Sequence, residues 1–266
     1  MIDISLNGKA AIITGAGSGI GRGIALGLAK AGANTAIADI KEKAARETVE
    51  IIADKGYPYA IPIKADVTSS LSVEKMVDKT VEEFGGVDIL VNNAGIAPAH
   101  PLVDFPEEDW DKTVEINLKG YFLCVQAVVR SMLKQQRGGN IINISSKTGV
   151  RGSADNSAYN ATKFGVIGLA QGWAQELAKH NIRVNSVLPG NVLRGSGIWN
   201  EEYIKARAEH AGVSPEEVEE YYNKKVPLGR QCNPEDISNM VVFLVSDLAS
   251  YITGCSHLVD GGQEMR

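Results

Sequence analysis

Short apolar segments alternate along the chain with longer segments in which apolar residues recur every three or four positions. Residues 9–14 (KAAIIT) and 34–39 (NTAIAD) are apolar runs typical of buried strands, whereas Ile20, Ile24 and Leu28 between them have helical spacing. By the same criteria, further strands are predicted at 59–64, 87–91, 140–145, 183–188 and 256–259, and further helices at 41–55, 69–84, 110–136, 157–180 and 234–246. Strands linked by helical crossovers pair in parallel and are covered on both faces. The pattern therefore predicts one α/β domain over residues 1–266, a Rossmann-type doubly wound parallel sheet of about seven strands with helices on both faces.

One stretch, residues 195–229, departs from this alternation. It contains Ser214-Pro215-Glu216-Glu217, in which a serine N-cap precedes a proline and, three residues on, a glutamate, so a helix is predicted to begin there. The stretch follows the sixth strand and therefore lies beside the carboxyl ends of the sheet, where α/β proteins bind ligands. We interpret it as a helical substrate lid.

Composition and charge narrow the possible partners. The 266 residues are 44% hydrophobic and carry a net charge of −5, which disfavours nucleic acid as a partner but allows a small anionic substrate in a local cationic pocket. Residues 1–9 lack a signal-peptide core and no apolar run is long enough for a membrane span, so a cytoplasmic protein is expected. The three scattered cysteines are expected to be reduced, buried thiols, and the four histidines lack metal-ligand spacing, so no metal is expected.

A glycine-rich loop, Thr14–Gly21 (TGAGSGIG), follows the first predicted strand and opens the first predicted helix. Gly15, Gly19 and Gly21 allow a sharp turn and a close approach of backbone to a pyrophosphate, which the helix N-terminus then faces. A purely structural turn is the alternative, but the strand–loop–helix context favours a dinucleotide site.

Asp39 ends the second predicted strand, 24 residues after Gly15. A carboxylate at this place can accept hydrogen bonds from the adenosine ribose and repels the 2′-phosphate of NADP. Position 18 is Ser and not a basic residue, and the nearest cation, Arg22, is interpreted as a solvated helix residue. The sequence therefore favours NAD over NADP, with a backbone-capping carboxylate as the alternative for Asp39.

Tyr159 and Lys163 are four residues apart in a predicted helix and therefore share one face. Ser146 precedes Tyr159 by 13 residues and follows the fifth strand, at the ligand-binding edge of the sheet. Asn117 lies in the long helix at 110–136. Taken singly, these residues could be a packed aromatic, a solvated lysine and a surface amide; their combination indicates a catalytic site.

In order and spacing, the motifs resemble those of the classical short-chain dehydrogenase/reductase family from Lys9 to Gly262. The matching elements are Thr14–Gly21, Asp66, Asn92–Gly95, Asn117, Ser146, Tyr159-x-x-x-Lys163 and Pro189-Gly190. The resemblance implies that Tyr159 is the general acid/base, that Lys163 lowers its pKa and that Ser146 binds the substrate oxygen. It also implies that Asn117 holds a water that links Lys163 to solvent.

For the cofactor, the resemblance implies contacts along the whole edge of the sheet. These residues are Gly15, Ser18, Gly19, Ile20, Gly21, Asp39, Asp66, Val67, Asn93, Gly95, Tyr159, Lys163, Pro189, Gly190 and Val192. One departure is Arg194, which stands where many members have a threonine that contacts the nicotinamide; Ser196 is a possible substitute. The resemblance further implies a homotetramer built through helices 110–136 and 157–180 and the C-terminal segment.

The variable segments point to a substrate class. Residues 146–149 (SKTG), 189–193 (PGNVL) and 212–222 (GVSPEEVEEYY) resemble the polyol-phosphate dehydrogenases of the family, which oxidise sorbitol 6-phosphate to fructose 6-phosphate with NAD. A phosphate requires nearby cations, so Lys147 and Arg194 are predicted to face the substrate together with Ser146 and Tyr159. Lys205 and Arg207 are interpreted as solvated surface charges. The alternatives are a dehydrogenase of an unphosphorylated polyol or sugar, a 3-oxoacyl-carrier-protein reductase, and a catalytically silent NAD-binding scaffold.

Overall fold

A computed structural model describes residues 4–193 and 199–264. Seven parallel strands form one sheet in the order β3-β2-β1-β4-β5-β6-β7, which confirms the predicted fold class. The strands are β1 (Ala10–Thr14), β2 (Asn34–Asp39), β3 (Ala60–Lys64), β4 (Ile89–Asn92), β5 (Gly139–Ile144), β6 (Ile182–Pro189) and β7 (Ser256–Val259). The helices are α1 (Gly19–Lys30), α2 (Glu42–Asp54), α3 (Ser70–Phe84), α4 (Glu107–Val114), α5 (Gly120–Gln135), α6 (Ser157–Leu177), α7 (Glu201–Ala211), α8 (Val218–Asn223) and α9 (Pro234–Val245).

The sheet is buried on both faces. Every residue of β1 is buried, and because successive strand residues point to opposite faces, Ile13 joins one apolar cluster and Ile12 the other. The first cluster includes Leu28 of α1 and Leu244 of α9, and the second includes Val128 of α5. Helix layers therefore cover both faces, which explains why the strands are apolar runs without alternation.

The strand order reverses at β1, which pairs with β2 on one side and with β4 on the other. The connections leaving these neighbouring strands diverge and leave a crevice at their carboxyl ends. The glycine loop after β1, Asp39 at the end of β2 and Asn93 after β4 lie at this edge.

The prediction of one continuous helix over 110–136 is wrong about where the helix begins and about its continuity. Helix α4 begins at Glu107, and a π-helical turn, Glu115–Lys119, separates it from α5. A π turn inserts one residue into a helix that otherwise continues, so a prediction that treats the stretch as one α-helix misses it; such turns are frequent at functional sites. This one contains Asn117.

Two helices, α7 and α8, fill the described part of the predicted lid. The predicted start at Ser214 is a short 3₁₀ turn that leads into α8, and the Ser214 N–H donates to Glu217 Oε2 at 2.9 Å. The sequence analysis did not predict α7. Its signal was Asn200, whose side chain accepts from the Tyr203 N–H at 2.9 Å, followed by acidic Glu201 and Glu202 in the first turn.

The three cysteines differ in their exposure to solvent. Cys124 and Cys232 are buried free thiols, whereas Cys255 is exposed, so its predicted burial is wrong.

Among the helices in the described ranges, none combines the length and the apolar character that crossing a bilayer requires.

Candidate active site

The crevice at the carboxyl edge of β1, β2 and β4 has the shape and polarity that a dinucleotide needs. Most of the predicted cofactor residues line it: Gly15, Ser18, Gly19, Ile20, Asp39, Asp66, Val67, Asn93 and Gly95. Gly15 has a φ of +63°, and a Cβ on Gly21 would lie 2.3 Å from the Gly15 carbonyl oxygen, so both positions require glycine. The first turn of α1 opens onto this crevice, where its free N–H groups can bind an anion. The residues therefore fit a dinucleotide pyrophosphate.

Asp39 can fill both roles considered for it, backbone capping and binding of the adenosine ribose. Its Oδ2 accepts from the Gly17 N–H and its Oδ1 from the Lys41 N–H, each at 2.9 Å, so the carboxylate braces the glycine loop. It also lines the crevice, and each oxygen retains a lone pair for a ribose hydroxyl.

The interpretation of Arg22 as a solvated residue is wrong. Its Nε donates to Thr48 Oγ1 at 3.0 Å, and its Nη2 donates to the Gly17 carbonyl. Arg22 therefore holds the glycine loop against α2, because a guanidinium can donate in several fixed directions at once.

A second cavity continues the crevice toward β5 and β6. The two share Ile20, Asn93 and Gly95. The second cavity is lined by the predicted catalytic and nicotinamide-flanking residues Ser146, Lys147, Tyr159, Lys163, Pro189, Gly190 and Val192. One continuous cleft thus joins the dinucleotide crevice to the catalytic groups.

Tyr159 and Lys163 are brought to this cleft by the first two turns of α6. Lys163 Nζ lies 5.5 Å from the centroid of the Tyr159 ring and donates to the Ile144 carbonyl at 2.8 Å. It also contacts the hydroxyl of buried Tyr121 at 3.4 Å. Burial lowers the pKa of Lys163 to about 7. Burial also raises the pKa of the Tyr159 phenol, and the nearby Ser146 hydroxyl partly opposes that rise. Burial thus disfavours the charged form of both groups, and positive charge close to the phenol is needed to ionise it.

The two neighbouring serines have different environments. Ser145 is buried, and its hydroxyl donates to the Lys163 main-chain carbonyl at 2.8 Å. Ser146 lies at the cavity, where its Oγ accepts from the Thr148 N–H at 3.2 Å and interacts with the Tyr159 phenol. The geometry therefore places the hydroxyl of Ser146 next to the phenol.

Asn117 is fully buried in the π turn. Its Nδ2 donates to the Ile96 carbonyl at 2.8 Å, and its Oδ1 accepts from the Ile96 N–H at 2.9 Å. The side chain thus fixes the segment after Gly95 in the manner of a β-bridge. Both polar atoms of the Asn117 side chain are therefore hydrogen-bonded to Ile96. The water predicted on the proton path would have to bind other groups.

The cationic residues proposed for the substrate are distributed unevenly. Lys147 lines the catalytic cavity; burial lowers its pKa, and the carboxylates of Glu264 and Asp260 oppose that change. Arg194 and Ser196 lie outside the described residues. Lys205 is exposed, as predicted.

For Arg207 the surface interpretation is wrong. Its side chain is 5% exposed and its Nη2 lies 2.7 Å from Asp155 Oδ2. Sequence analysis also missed seven residues of the cavity wall: Ala97, Ile144, Ser145, Thr148, Asn191, Trp199 and Tyr203. Trp199 lies just before α7 and its ring contacts that of Tyr203, a contact that depends on the helix start that the sequence analysis did not predict.

Comparison with known proteins agrees with this geometry. A family model described as enoyl-(acyl carrier protein) reductase matches residues 15–264. The sorbitol-6-phosphate 2-dehydrogenase of Escherichia coli (strain K12) is 42% identical over 97% of this chain and 99% of its own. A 3-oxoacyl-[acyl-carrier-protein] reductase of Thermotoga maritima is 40% identical over 97% of this chain and 98% of its own. The crystal structure of sorbitol-6-phosphate 2-dehydrogenase from Erwinia amylovora superposes with a TM-score of 0.90 at 40% identity, covering 97% of this chain and 100% of that one.

The sheet, the dinucleotide crevice and the adjoining catalytic cavity define a nicotinamide-dependent oxidoreductase that acts on alcohol or keto groups. The chain belongs to the short-chain dehydrogenase/reductase family, as the motifs predicted.

Proposed function

We propose that the protein is an NAD-dependent dehydrogenase of a polyol phosphate, with sorbitol 6-phosphate as substrate and fructose 6-phosphate as product. The observation that carries the proposal is Lys147, a partly buried cation on the wall of the catalytic cavity directly after Ser146. Burial of a lysine is costly unless negative charge lies near it; Glu264 and Asp260 supply part of that charge, and a phosphate in the cavity would supply more. The relatives that carry sorbitol-6-phosphate dehydrogenase in their names support the same substrate.

The preference for NAD rests on Asp39. Its carboxylate is fixed by two backbone N–H groups at the adenosine end of the crevice, where it can accept from both ribose hydroxyls. A 2′-phosphate would meet this fixed negative charge. Arg22, the cation nearest to the loop, donates to the Gly17 carbonyl and to Thr48.

In the proposed mechanism, three side chains bind the substrate oxygen and move its proton; NAD, when bound, would supply the acceptor for the hydride of the carbinol carbon. Ser146 donates a hydrogen bond to the substrate oxygen and holds it next to the Tyr159 phenol. Ionised Tyr159 removes the hydroxyl proton as the carbon becomes a carbonyl. Lys163, one helical turn away, supplies positive charge that lowers the pKa of Tyr159, and its position also allows hydrogen bonds to the nicotinamide ribose.

The remaining proposed contacts complete the cofactor site. Asp66 and Val67 would meet the adenine, while Asn93 and Gly95 line the middle of the cleft. Pro189, Gly190 and Val192 would flank the nicotinamide. Asn117 would support the proton path by fixing the segment at Ile96.

Initial rates of NADH formation by the purified protein test the proposal directly. We expect turnover of sorbitol 6-phosphate with NAD, and much slower turnover with NADP or with unphosphorylated sorbitol. Turnover of sorbitol with the phosphate ester inert would contradict the phosphate assignment and leave an NAD-dependent polyol dehydrogenase.

Replacement of Lys147 by alanine should raise the KM for sorbitol 6-phosphate roughly tenfold to a hundredfold, because a charge-assisted hydrogen bond to the phosphate contributes about 1.5–3 kcal/mol. The KM for NAD should stay unchanged. Lys205→Ala is the matched control, since Lys205 is an exposed lysine on lid helix α7. An unchanged KM in Lys147→Ala, measured in the same initial-rate assay, would remove Lys147 from the substrate site.

A 3-oxoacyl-carrier-protein reductase is the second candidate, favoured by the relative of that name that is 40% identical to this chain. It predicts fast reduction of a 3-oxoacyl thioester with NADPH, which the fixed charge of Asp39 disfavours. Dinucleotide binding without turnover of any of these substrates would instead indicate a scaffold.

We also propose a homotetramer. Large apolar side chains stand partly exposed on the helices expected to form the interfaces: Trp110 on α4, Phe122 and Leu133 on α5, and Phe164 on α6. Large aromatic side chains are enriched in the buried cores of subunit interfaces. Light scattering of the purified protein should give about four times the chain mass of 28.4 kDa; a monomer mass would contradict this assembly.

A further inference from the structure

A partly buried ion pair joins the lid to the start of the catalytic helix, with the side chain of Arg207 5% exposed and that of Asp155 25% exposed. Arg207 of α7 donates from Nη2 to Asp155 Oδ2 at 2.7 Å and from Nη1 to the Ala154 carbonyl at 3.3 Å. Nδ1 of His210, one turn further along α7, lies 3.1 Å from the same Asp155 oxygen. Asp155 itself has a φ of +62°, an unfavourable conformation for a residue with a Cβ, and its carbonyl accepts from the His100 N–H at 2.9 Å. Three segments therefore meet at Asp155, four residues before Tyr159: α7, the segment at His100 and the segment that leads into α6.

Stability alone does not account for this arrangement. Moving a guanidinium and a carboxylate out of water costs several kcal/mol per ion, and well-packed apolar residues often stabilise a protein as much or more. What a guanidinium with one arm on Asp155 and the other on the Ala154 carbonyl provides is a fixed position and orientation. The pair thus fixes where α7 stands relative to the catalytic helix α6.

Tyr203 is the residue that this arrangement presents to the cavity. It lies one turn before Arg207 on the same face of α7, and the Arg207 guanidinium carbon is 5.7 Å from its ring centroid. Trp199 packs edge-on against the ring, with the two ring centroids 5.1 Å apart. The hydroxyl end lies beside Asn156, whose Oδ1 is buried with no hydrogen-bond partner among the described residues. Tyr203 is therefore held from three sides.

Two cavities meet at Tyr203. One is the catalytic cavity, which Tyr203 lines together with Ser146 and Tyr159. The other is an adjoining polar cavity whose wall includes the hydrogen-bonded pair His100–Asp109, with Nε2 and Oδ2 2.8 Å apart, and Glu202. A hydroxylated chain that extends from the reacting carbon would pass the phenol of Tyr203 and reach side chains that can both donate and accept hydrogen bonds.

We propose that Tyr203 is a specificity-determining residue that hydrogen-bonds a substrate hydroxyl adjacent to the reacting carbon, and that Arg207 and Asp155 are positioning residues that hold it there. The inference rests on the proposed function, since it requires a substrate with several hydroxyl groups. It adds a contact from the lid to those made by Ser146, Lys147 and Tyr159.

The first test is Tyr203→Phe, which removes one hydroxyl and keeps the ring packing. We expect the KM for the polyol substrate to rise about tenfold, with kcat changed less than twofold and the KM for NAD unchanged. Tyr222→Phe is the matched control, because Tyr222 packs on Trp199 in the same aromatic cluster and is not among the described residues that line either cavity. A purely structural role would shift the melting temperature and the KM for NAD in Tyr203→Phe, and would leave the substrate selectivity unchanged.

Substrate analogues locate the contact. In the reverse direction, 1-deoxyfructose 6-phosphate and 3-deoxyfructose 6-phosphate each lack one hydroxyl next to the carbonyl carbon. The KM of Tyr203→Phe divided by the KM of the wild-type enzyme should fall to about one with the analogue that lacks the contacted hydroxyl. A ratio that stays equally large with both analogues, or that is one with fructose 6-phosphate itself, overturns the proposal.

The positioning role is tested by Arg207→Lys, which keeps the charge and loses the two-armed geometry. We expect the substrate KM to rise three- to tenfold, and the double variant Tyr203→Phe/Arg207→Lys to be no worse than Tyr203→Phe. Additive effects would overturn the positioning role. Turnover of polyol phosphate by the wild-type enzyme tests the proposed function separately. If Tyr203→Phe has the wild-type KM for a polyol that the wild-type enzyme oxidises, the assignment of Tyr203 is overturned.

Discussion

Tyr159→Phe is expected to lower kcat for polyol oxidation about a thousandfold, the largest loss of activity of any conservative change in this protein. General acid/base catalysis by a positioned side chain contributes on the order of a hundredfold to ten-thousandfold, and phenylalanine keeps the ring in the α6 face without a proton to exchange. The hydroxyl of Ser146 cannot take over, because its pKa lies far above that of a phenol and it accepts a hydrogen bond from Thr148.

Stopped-flow or initial-rate measurements of NADH formation give kcat, and quenching of protein fluorescence by NADH gives the Kd for the dinucleotide. The Kd should change less than about threefold, because the dinucleotide crevice is built largely from β1, β2 and β4. Tyr221→Phe, on lid helix α8, is the control for loss of a tyrosine hydroxyl outside the cleft. Retention of a tenth or more of the wild-type kcat in Tyr159→Phe would assign the proton transfer to another group.

Lys163→Met should abolish turnover and yet make the protein more stable at neutral and acidic pH. Burial lowers the pKa of Lys163 to about 7 from the ordinary 10.5. Keeping this amine charged in the folded protein therefore lowers the free energy of unfolding. The full shift corresponds to roughly 5 kcal/mol, an upper limit, and a net gain of about 2 kcal/mol is expected once the lost hydrogen bonds are subtracted. The Ile144 carbonyl keeps a partner in Lys163→Met, since the Tyr121 hydroxyl donates to it at 3.0 Å.

The pH dependence has a definite sign. Between pH 7 and 10.5 the unfolded chain binds a proton at Lys163 that the folded chain has released, so this group makes the wild-type protein more stable as pH rises through that window. The advantage of Lys163→Met should therefore be largest at and below pH 7 and shrink toward pH 10.

Urea unfolding at pH 6 and pH 9 measures this difference. Lys179→Met provides the control, because Lys179 is exposed just beyond the end of α6. A Lys163→Met variant that is less stable than wild type at pH 6, or whose stability difference is the same at both pH values, would show that burial does not penalise the amine. The expected result would mean that the group proposed to activate Tyr159 is retained at the expense of stability, as is common at active sites.

The residues of the dinucleotide loop illustrate how much a local pattern can determine. Gly15, Gly19 and Gly21 follow an apolar strand and open a helix, so the turn, the crevice and the direction of the α1 N-terminus follow from short-range backbone requirements. Likewise, the i, i+4 spacing of Tyr159 and Lys163 places both on one face of α6 wherever that helix packs. The parallel sheet is implied by apolar strands that alternate with amphipathic helices.

Arg22 and Arg207 illustrate the opposite case. Both look like solvated charges in sequence, yet Arg22 holds the glycine loop through Gly17 and Thr48, and Arg207 is buried against Asp155, 52 positions away. The environment of Lys163 depends in the same way on Ile144 and Tyr121, and the π turn at Asn117 on its contact with Ile96. The sequence by itself thus determined the strands, most of the helices, the loop and the set of reactive side chains, because each depends on neighbours within a few positions. Only the tertiary structure decided which charges are buried, which pKa values shift and which lid residues face the cavity, because burial and hydrogen bonding come from partners that are distant in sequence.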